Sequence, residues 1–266
     1  MKFALLNDNR IEASIGAKGI CPGCSSELIA KCGEIKINHW AHKKTRNCDP
    51  WWEPETEWHR TWKNNFPVEW QENYFLDEHT GEKHIADIKT TDGLVIEFQH
   101  SAIHPQERIS REKFYKKMVW VADSTRLKYD FKRFAKEKKN FVDIQPGIFQ
   151  VDYSEETFPA AWVKSSVPFI FDFLDTATTS IVLERNFLYC LFPVQIGRYV
   201  FVADIPRKAF IKSVIDGQWS VRYENYMKLL KNVSIGWQVQ IAILQMQQNL
   251  QQQRRQNRYR NPRRGL

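Results

Sequence analysis

The sequence predicts an α/β protein: a mixed sheet flanked by helices, with a small cysteine- and histidine-bearing module ahead of it. Three observations predict this. A hairpin signature at 84–99 joins two runs in which β-branched and apolar residues alternate with polar ones. A helical pattern at 105–117 follows, then the continuous apolar run Met118-Val119-Trp120-Val121, as expected of a buried central strand. At 42% hydrophobic and 26% charged, the 266 residues describe a soluble globular protein large enough for one large domain or two small ones.

Residues 1–50 hold short strand candidates around the cluster Cys21-Pro-Gly-Cys24 and His39-Trp-Ala-His42. Two Cys and two His in short-spaced pairs suit tetrahedral zinc, with Cys32 and Cys48 as substitute ligands. Four protein ligands leave no open position, so a structural Zn2+ in a zinc-ribbon-like module is expected. Five cysteines with no secretory leader fit a reduced, cytoplasmic protein, in which paired cysteines bind metal rather than each other. No stretch approaches the roughly 20 apolar residues of a membrane helix, so no membrane partner is expected.

Residues 51–66 read as a helix ending before Pro67. On it Glu55, His59 and Lys63 share one face, Trp58, Trp62 and Phe66 form the adjoining apolar stripe, and Glu57 points to solvent. Strands are expected at 68–75 and in the hairpin. With Thr91-Asp92-Gly93 as its loop and Gly93 left-handed, residue 90 faces 94 and Asp87 lies opposite Glu97. Gln99 shares the face of Glu97. Opposed carboxylates repel unless something positive lies between them, and a divalent cation with oxygen ligands is the natural candidate. The bland alternative is a pair of solvent-facing strand acids, but Asp87 lies in an apolar run and Glu97 between Ile96 and Phe98.

Pro105 begins the next helix, on which Arg108, Arg111, Glu112 and Tyr115 share a face. Arg108, Arg111 and Tyr115 there suit a nucleic-acid backbone, against the alternative of a merely solvated charged face. Residues 51–153 are read as one core, continued by a basic helix at 128–139 and a strand at 148–153. Residues 154–220 form a β/α extension with strands at 169–174, 188–193 and 199–205 and a helix at 207–215, joining the first sheet or forming another. Residues 221–266 are a helix, with Gly236 a possible break, running into a Gln- and Arg-rich tail.

Net charge +8 favours an anionic partner. Its distribution is sharper: twelve Lys/Arg against five Asp/Glu between 107 and 139, and six Arg with no acid between 254 and 264. The tail suits sequence-independent attraction to nucleic acid, or else solubility or an acidic protein partner.

Asp87, Glu97 and Gln99 resemble the signature of the PD-(D/E)XK nuclease superfamily, with Gln99 where lysine is usual. More narrowly, residues 21–122 resemble the competence-protein CoiA-like family through CPGC, NHWAH, ETEWHRTWK, HIADI, VIEFQHS and ERISREKFY, in that order. The resemblance implies a restriction-endonuclease-like core and Mg2+- or Mn2+-dependent phosphodiester hydrolysis in DNA, in transformation or foreign-DNA handling. Asp87 and Glu97 would hold the metal and Gln99 would place the water. Glu55 would complete the site, with His59 in support. Two rivals stand beside this: a nucleic-acid-binding module that has lost catalysis, which Gln99 invites, and a protein-interaction subunit recruited through the C-terminal helix and tail.

Overall fold

A computed structural model describes residues 1–43, 49–51, 54–77, 81–127, 129–152, 154–174 and 183–260. The chain forms two compact units, Met1–Ser220 and Val221–Leu266. Cys48, which the sequence offers as a substitute zinc ligand, and the tail residues 261–266 lie outside the described residues.

The N-terminal module is a five-stranded antiparallel sheet. Its strands β1 (Phe3–Leu6), β2 (Asn9–Glu12), β3 (Lys18–Ile20), β4 (Glu27–Lys31) and β5 (His39–His42) lie in the order β2-β1-β3-β4-β5. Asn7 and Asp8, both at positive φ, turn β1 into β2, since two left-handed residues match the twist of a tight hairpin. Ala4, Leu28 and Trp40 fill the small core. Gly19 is required there, because a Cβ would stand 2.6 Å from that of Ala4.

The larger sheet has nine strands: β6 (Gln71–Leu76), β7 (Lys83–Lys89), β8 (Val95–Gln99), β9 (Met118–Asp123), β10 (Val142–Gln145), β11 (Ile148–Val151), β12 (Phe169–Asp172), β13 (Phe187–Ile196) and β14 (Tyr199–Pro206). Their order is β10-β11-β14-β13-β12-β9-β8-β7-β6. The strands after residue 155 therefore extend the first sheet rather than form another. β8, β9 and β12 run parallel at its centre, and their flanks are antiparallel. The helices are α1 (Glu57–Lys63), α2 (Pro105–Tyr115), α3 (Asp130–Lys138), α4 (Ser154–Thr157), α5 (Ala160–Val163), α6 (Arg207–Ile215) and α7 (Gln218–Arg260). Pro105 opens α2 as expected, and Gly236 does not interrupt α7.

The core is aromatic: Trp120, Phe134, Phe158, Phe169, Phe171 and Tyr189 are fully buried. One buried carboxylate ties three elements together. Asp172 accepts the indole N–H of Trp58 (3.2 Å) and Trp62 (2.9 Å) from α1 and the guanidinium of Arg207 from α6. No helix among the described residues is long and apolar enough to cross a membrane.

Candidate active site and metal centre

The helix expected at 51–66 begins only at Glu57. Thr56 caps it: its hydroxyl oxygen accepts the His59 N–H, and its own N–H donates to His59 Nδ1 at 3.2 Å. A histidine thus fills the place a Glu or Gln takes in the usual capping box. His59 Nε2 lies 3.1 Å from the carbonyl of Phe98, which can only accept, so Nε2 bears the proton. With both nitrogens engaged, His59 anchors α1 to β8. Trp62 and Phe66 both stack on Phe98, and Glu57 is exposed, as its spacing requires.

The hairpin has the register read from its turn. Gly93 is left-handed, Thr90 N–H donates to Leu94 O at 2.9 Å, and Ile88 pairs with Ile96. That register sets Asp87 opposite Glu97, and the β6 register sets Glu72 on the other side of Asp87. Three acids therefore form one row across β6, β7 and β8. Ladder pairing is interrupted at this row, and side chains take the place of backbone partners. Asp87 N–H donates to Glu97 Oε1 (3.2 Å), and Phe98 N–H donates to Asp87 Oδ2 (2.9 Å). Glu72 sits at φ +47°, a left-handed conformation costly for a residue with a side chain. Its carboxylate accepts the N–H groups of Lys2 (2.7 Å) and Phe3 (3.0 Å), tying the N-terminal module to the larger sheet.

A cavity of about 70 Å³ opens on this row. Its lining includes Glu55, His59, Lys63, Glu72, Asp87, Glu97, Arg111 and Tyr115, so α1, α2 and three strands converge there. Lys63 is the hub: its Nζ lies 3.0 Å from Asp87 Oδ1, 3.0 Å from Glu72 Oε1 and 3.3 Å from Glu55 Oε1. Burial works against an ammonium, but Asp87, Glu72 and Glu55 outweigh it and hold Lys63 charged well beyond the usual lysine range. Burial likewise pushes the Glu55 carboxyl up, yet Lys63 and Arg60 draw it down to about 2. Glu97 has the opposite balance: burial and the neighbouring Asp87 raise it to about 8, against the pull of Arg111 at 3.1 Å.

The structure corrects three placements. Gln99 lines a second, neighbouring cavity rather than this one, and its amide donates to Ser101 O (3.1 Å). Arg108 is only 3% exposed, its guanidinium 2.6 Å from Glu112, which leaves it no access to a phosphate. Helical spacing places residues on one face but does not say whether that face is solvated, and this one packs on the sheet. Arg111 and Tyr115 are also buried, but they reach the cavity. Nothing in the local sequence pattern marks Glu72, which enters the site through strand register alone.

The third correction concerns zinc. The ligand atoms of Cys21, Cys24 and His42 lie within 4.8 Å of one another, and Cys24 Sγ is 3.3 Å from His42 Nε2. Two thiolates and an imidazole so placed could hold a metal such as zinc. Residues Cys21 to Ser26 close the knuckle, with Cys21 O accepting the Ser25 N–H and Cys21 N–H donating to Ser26 O, both at 2.9 Å. His39 stands apart, its Nδ1 2.9 Å from Ile37 O. The cause is strand periodicity: on β5, residues three apart point to opposite faces.

The acids of this cavity do not converge as a group of three. Among the described residues, Cys21, Cys24 and His42 are the group that does. Asp87 and Glu97 offer two carboxylates beside a small cavity. No curated protein and no solved structure matches the chain. Residues 8–50, which carry Cys21, Cys24 and His42, match the family model described as Competence protein CoiA, N-terminal domain.

Proposed function

We propose that the chain is a metal-dependent nuclease hydrolysing phosphodiester bonds in DNA, built on a restriction-endonuclease-like sheet. The observation that carries this reading is the row of Glu72, Asp87 and Glu97. Lys63 offsets the repulsion between Glu72 and Asp87, but Asp87 and Glu97 stay opposed across the sheet, beside a strained Glu72 and with the Glu97 carboxyl raised to about 8. Such costs concentrate at functional sites. Asp87 and Glu97 would hold Mg2+ or Mn2+. When bound, the cation supplies a lowered pKa for its water and neutralises charge on the scissile phosphate. Lys63 brings to Asp87 a fixed positive charge, which Gln99 cannot carry, and Arg111 does the same for Glu97. Glu55 and Glu72 hold Lys63 in place.

The N-terminal family match supports a competence-related role, in DNA uptake or the handling of foreign DNA. A second reading is a nucleic-acid-binding module without catalysis, favoured by the position of Gln99 outside the acidic cavity. Purified protein incubated with DNA and Mn2+ separates the two. Cleavage lost in Asp87→Ala, with binding retained, supports the nuclease. Binding without cleavage in Mg2+ or Mn2+ overturns it.

A further inference from the structure

β8, β9 and β12 are parallel and end at the same edge of the sheet, at Gln99, Asp123 and Asp172. Ligands of open α/β sheets sit outside the carboxyl ends of such strands. A cavity of about 140 Å³ opens there. Its polar lining includes Gln99, Ser101, Ser124, Asp130 and His100, whose Nδ1 is 2.8 Å from Asp123 Oδ2. Asp123 is itself fixed, its other oxygen accepting the N–H (2.9 Å) and hydroxyl (2.6 Å) of Thr125. The apolar lining includes Trp162 and Phe171, and Arg126, also in the lining, is exposed.

This cavity adjoins the acidic one. Glu97 and Gln99 lie two residues apart on β8, about 6–7 Å along a strand. The ring of His59, in the first cavity, is 6.0 Å from that of His100, in the second. A linear substrate with a phosphate at Asp87 and Glu97 would therefore lay its next group at Gln99 and His100.

We infer that the second cavity receives one unstacked nucleobase of single-stranded DNA, beside the phosphate held at Asp87 and Glu97. The inference rests on the nuclease reading and adds strandedness to it. Aromatic side chains accept the face of any base, and an amide, hydroxyls and an imidazole meet the donors and acceptors of its edge. Arg126 is placed for the phosphate of the same nucleotide. Size decides how much enters. The cavity exceeds the roughly 30 Å³ of one water but falls short of the 300 Å³ or more typical of whole-ligand pockets. One base fits, and a base pair does not.

The test uses the full chain and fluorescent single-stranded oligonucleotides in Ca2+, with one abasic nucleotide walked along the strand. Binding is read by anisotropy. Loss of one stacked base is expected to weaken binding roughly 5- to 100-fold at a single position. Ala161→Phe, which fills the cavity, should bind the intact strand as weakly as wild type binds the abasic one, with no further loss on the abasic strand. Duplex DNA should bind more weakly than single strands. Uniform tolerance of the abasic site at every position overturns the proposal, and so does equal affinity for duplex. The wild-type walk decides alone if Ala161→Phe fails to fold. Position-specific loss without cleavage in Mn2+ supports the base pocket and overturns only the nuclease reading.

Discussion

Glu97 makes the protein's stability depend on pH in an unusual direction. Its carboxyl is raised from 4.5 to about 8 in the fold, by burial and then by Asp87. The folded state thus binds a proton that the unfolded chain releases above 4.5. This stabilisation is complete below pH 4.5 and is lost as pH rises toward 8. Each unit between 4.5 and the working pH costs about 1.4 kcal/mol, so at pH 7 ionisation of this site takes about 3 kcal/mol from the fold. Glu55 acts in a different window: held at about 2, its contribution is present above 4.5 and lost only on acidification. It leaves the range from pH 5 to 8 to Glu97. The perturbation is Glu97→Gln, which keeps the shape and removes the ionisation. Urea unfolding of both proteins, free of Mg2+ and Mn2+ and without chelator, at pH 5, 6 and 7 measures the difference. The variant should gain on wild type as pH rises, by about 2–3 kcal/mol from pH 5 to 7. A constant difference across that range refutes the reasoning.

Lys63→Met leaves Glu55, Glu72 and Asp87 without their shared cation, and breaking a buried ion pair from one side costs about 3–5 kcal/mol, read by urea unfolding. Zinc, measured per chain by elemental analysis, should be about one in wild type. It should be lost in Cys21→Ser and His42→Ala and retained in His39→Ala, since His39 stands outside the cluster. Asp172→Ala leaves the buried Trp62 indole and the half-buried Trp58 indole and Arg207 guanidinium without their acceptor and should cost about 2 kcal/mol or more in the same unfolding assay.

What was legible in the sequence was local. The Asp92-Gly93 turn set the hairpin register because a left-handed glycine leaves few ways to close a short loop, and Asp87 met Glu97 for that reason. The Cys21–Cys24 knuckle was legible because two-residue spacing alone brings the thiols together. His39 failed on geometry: a spacing that suits a helix separates two residues on a strand. Arg108 failed because periodicity defines a face without its environment. The start of α1 was misplaced because the capping signature at Thr56 uses His59 where Glu or Gln is usual. Glu72 depended on the pairing of β6 with β7, a contact no local pattern encodes.

The nuclease reading needs the acidic row to seat a divalent cation. Anomalous diffraction from a crystal soaked in Mn2+ tests it most directly. A peak bound by both Asp87 and Glu97 is expected, within reach of the cavity that Lys63 and Arg111 line. Soaked crystals with manganese elsewhere or nowhere, and Lys63 still bonded to Asp87, would contradict it.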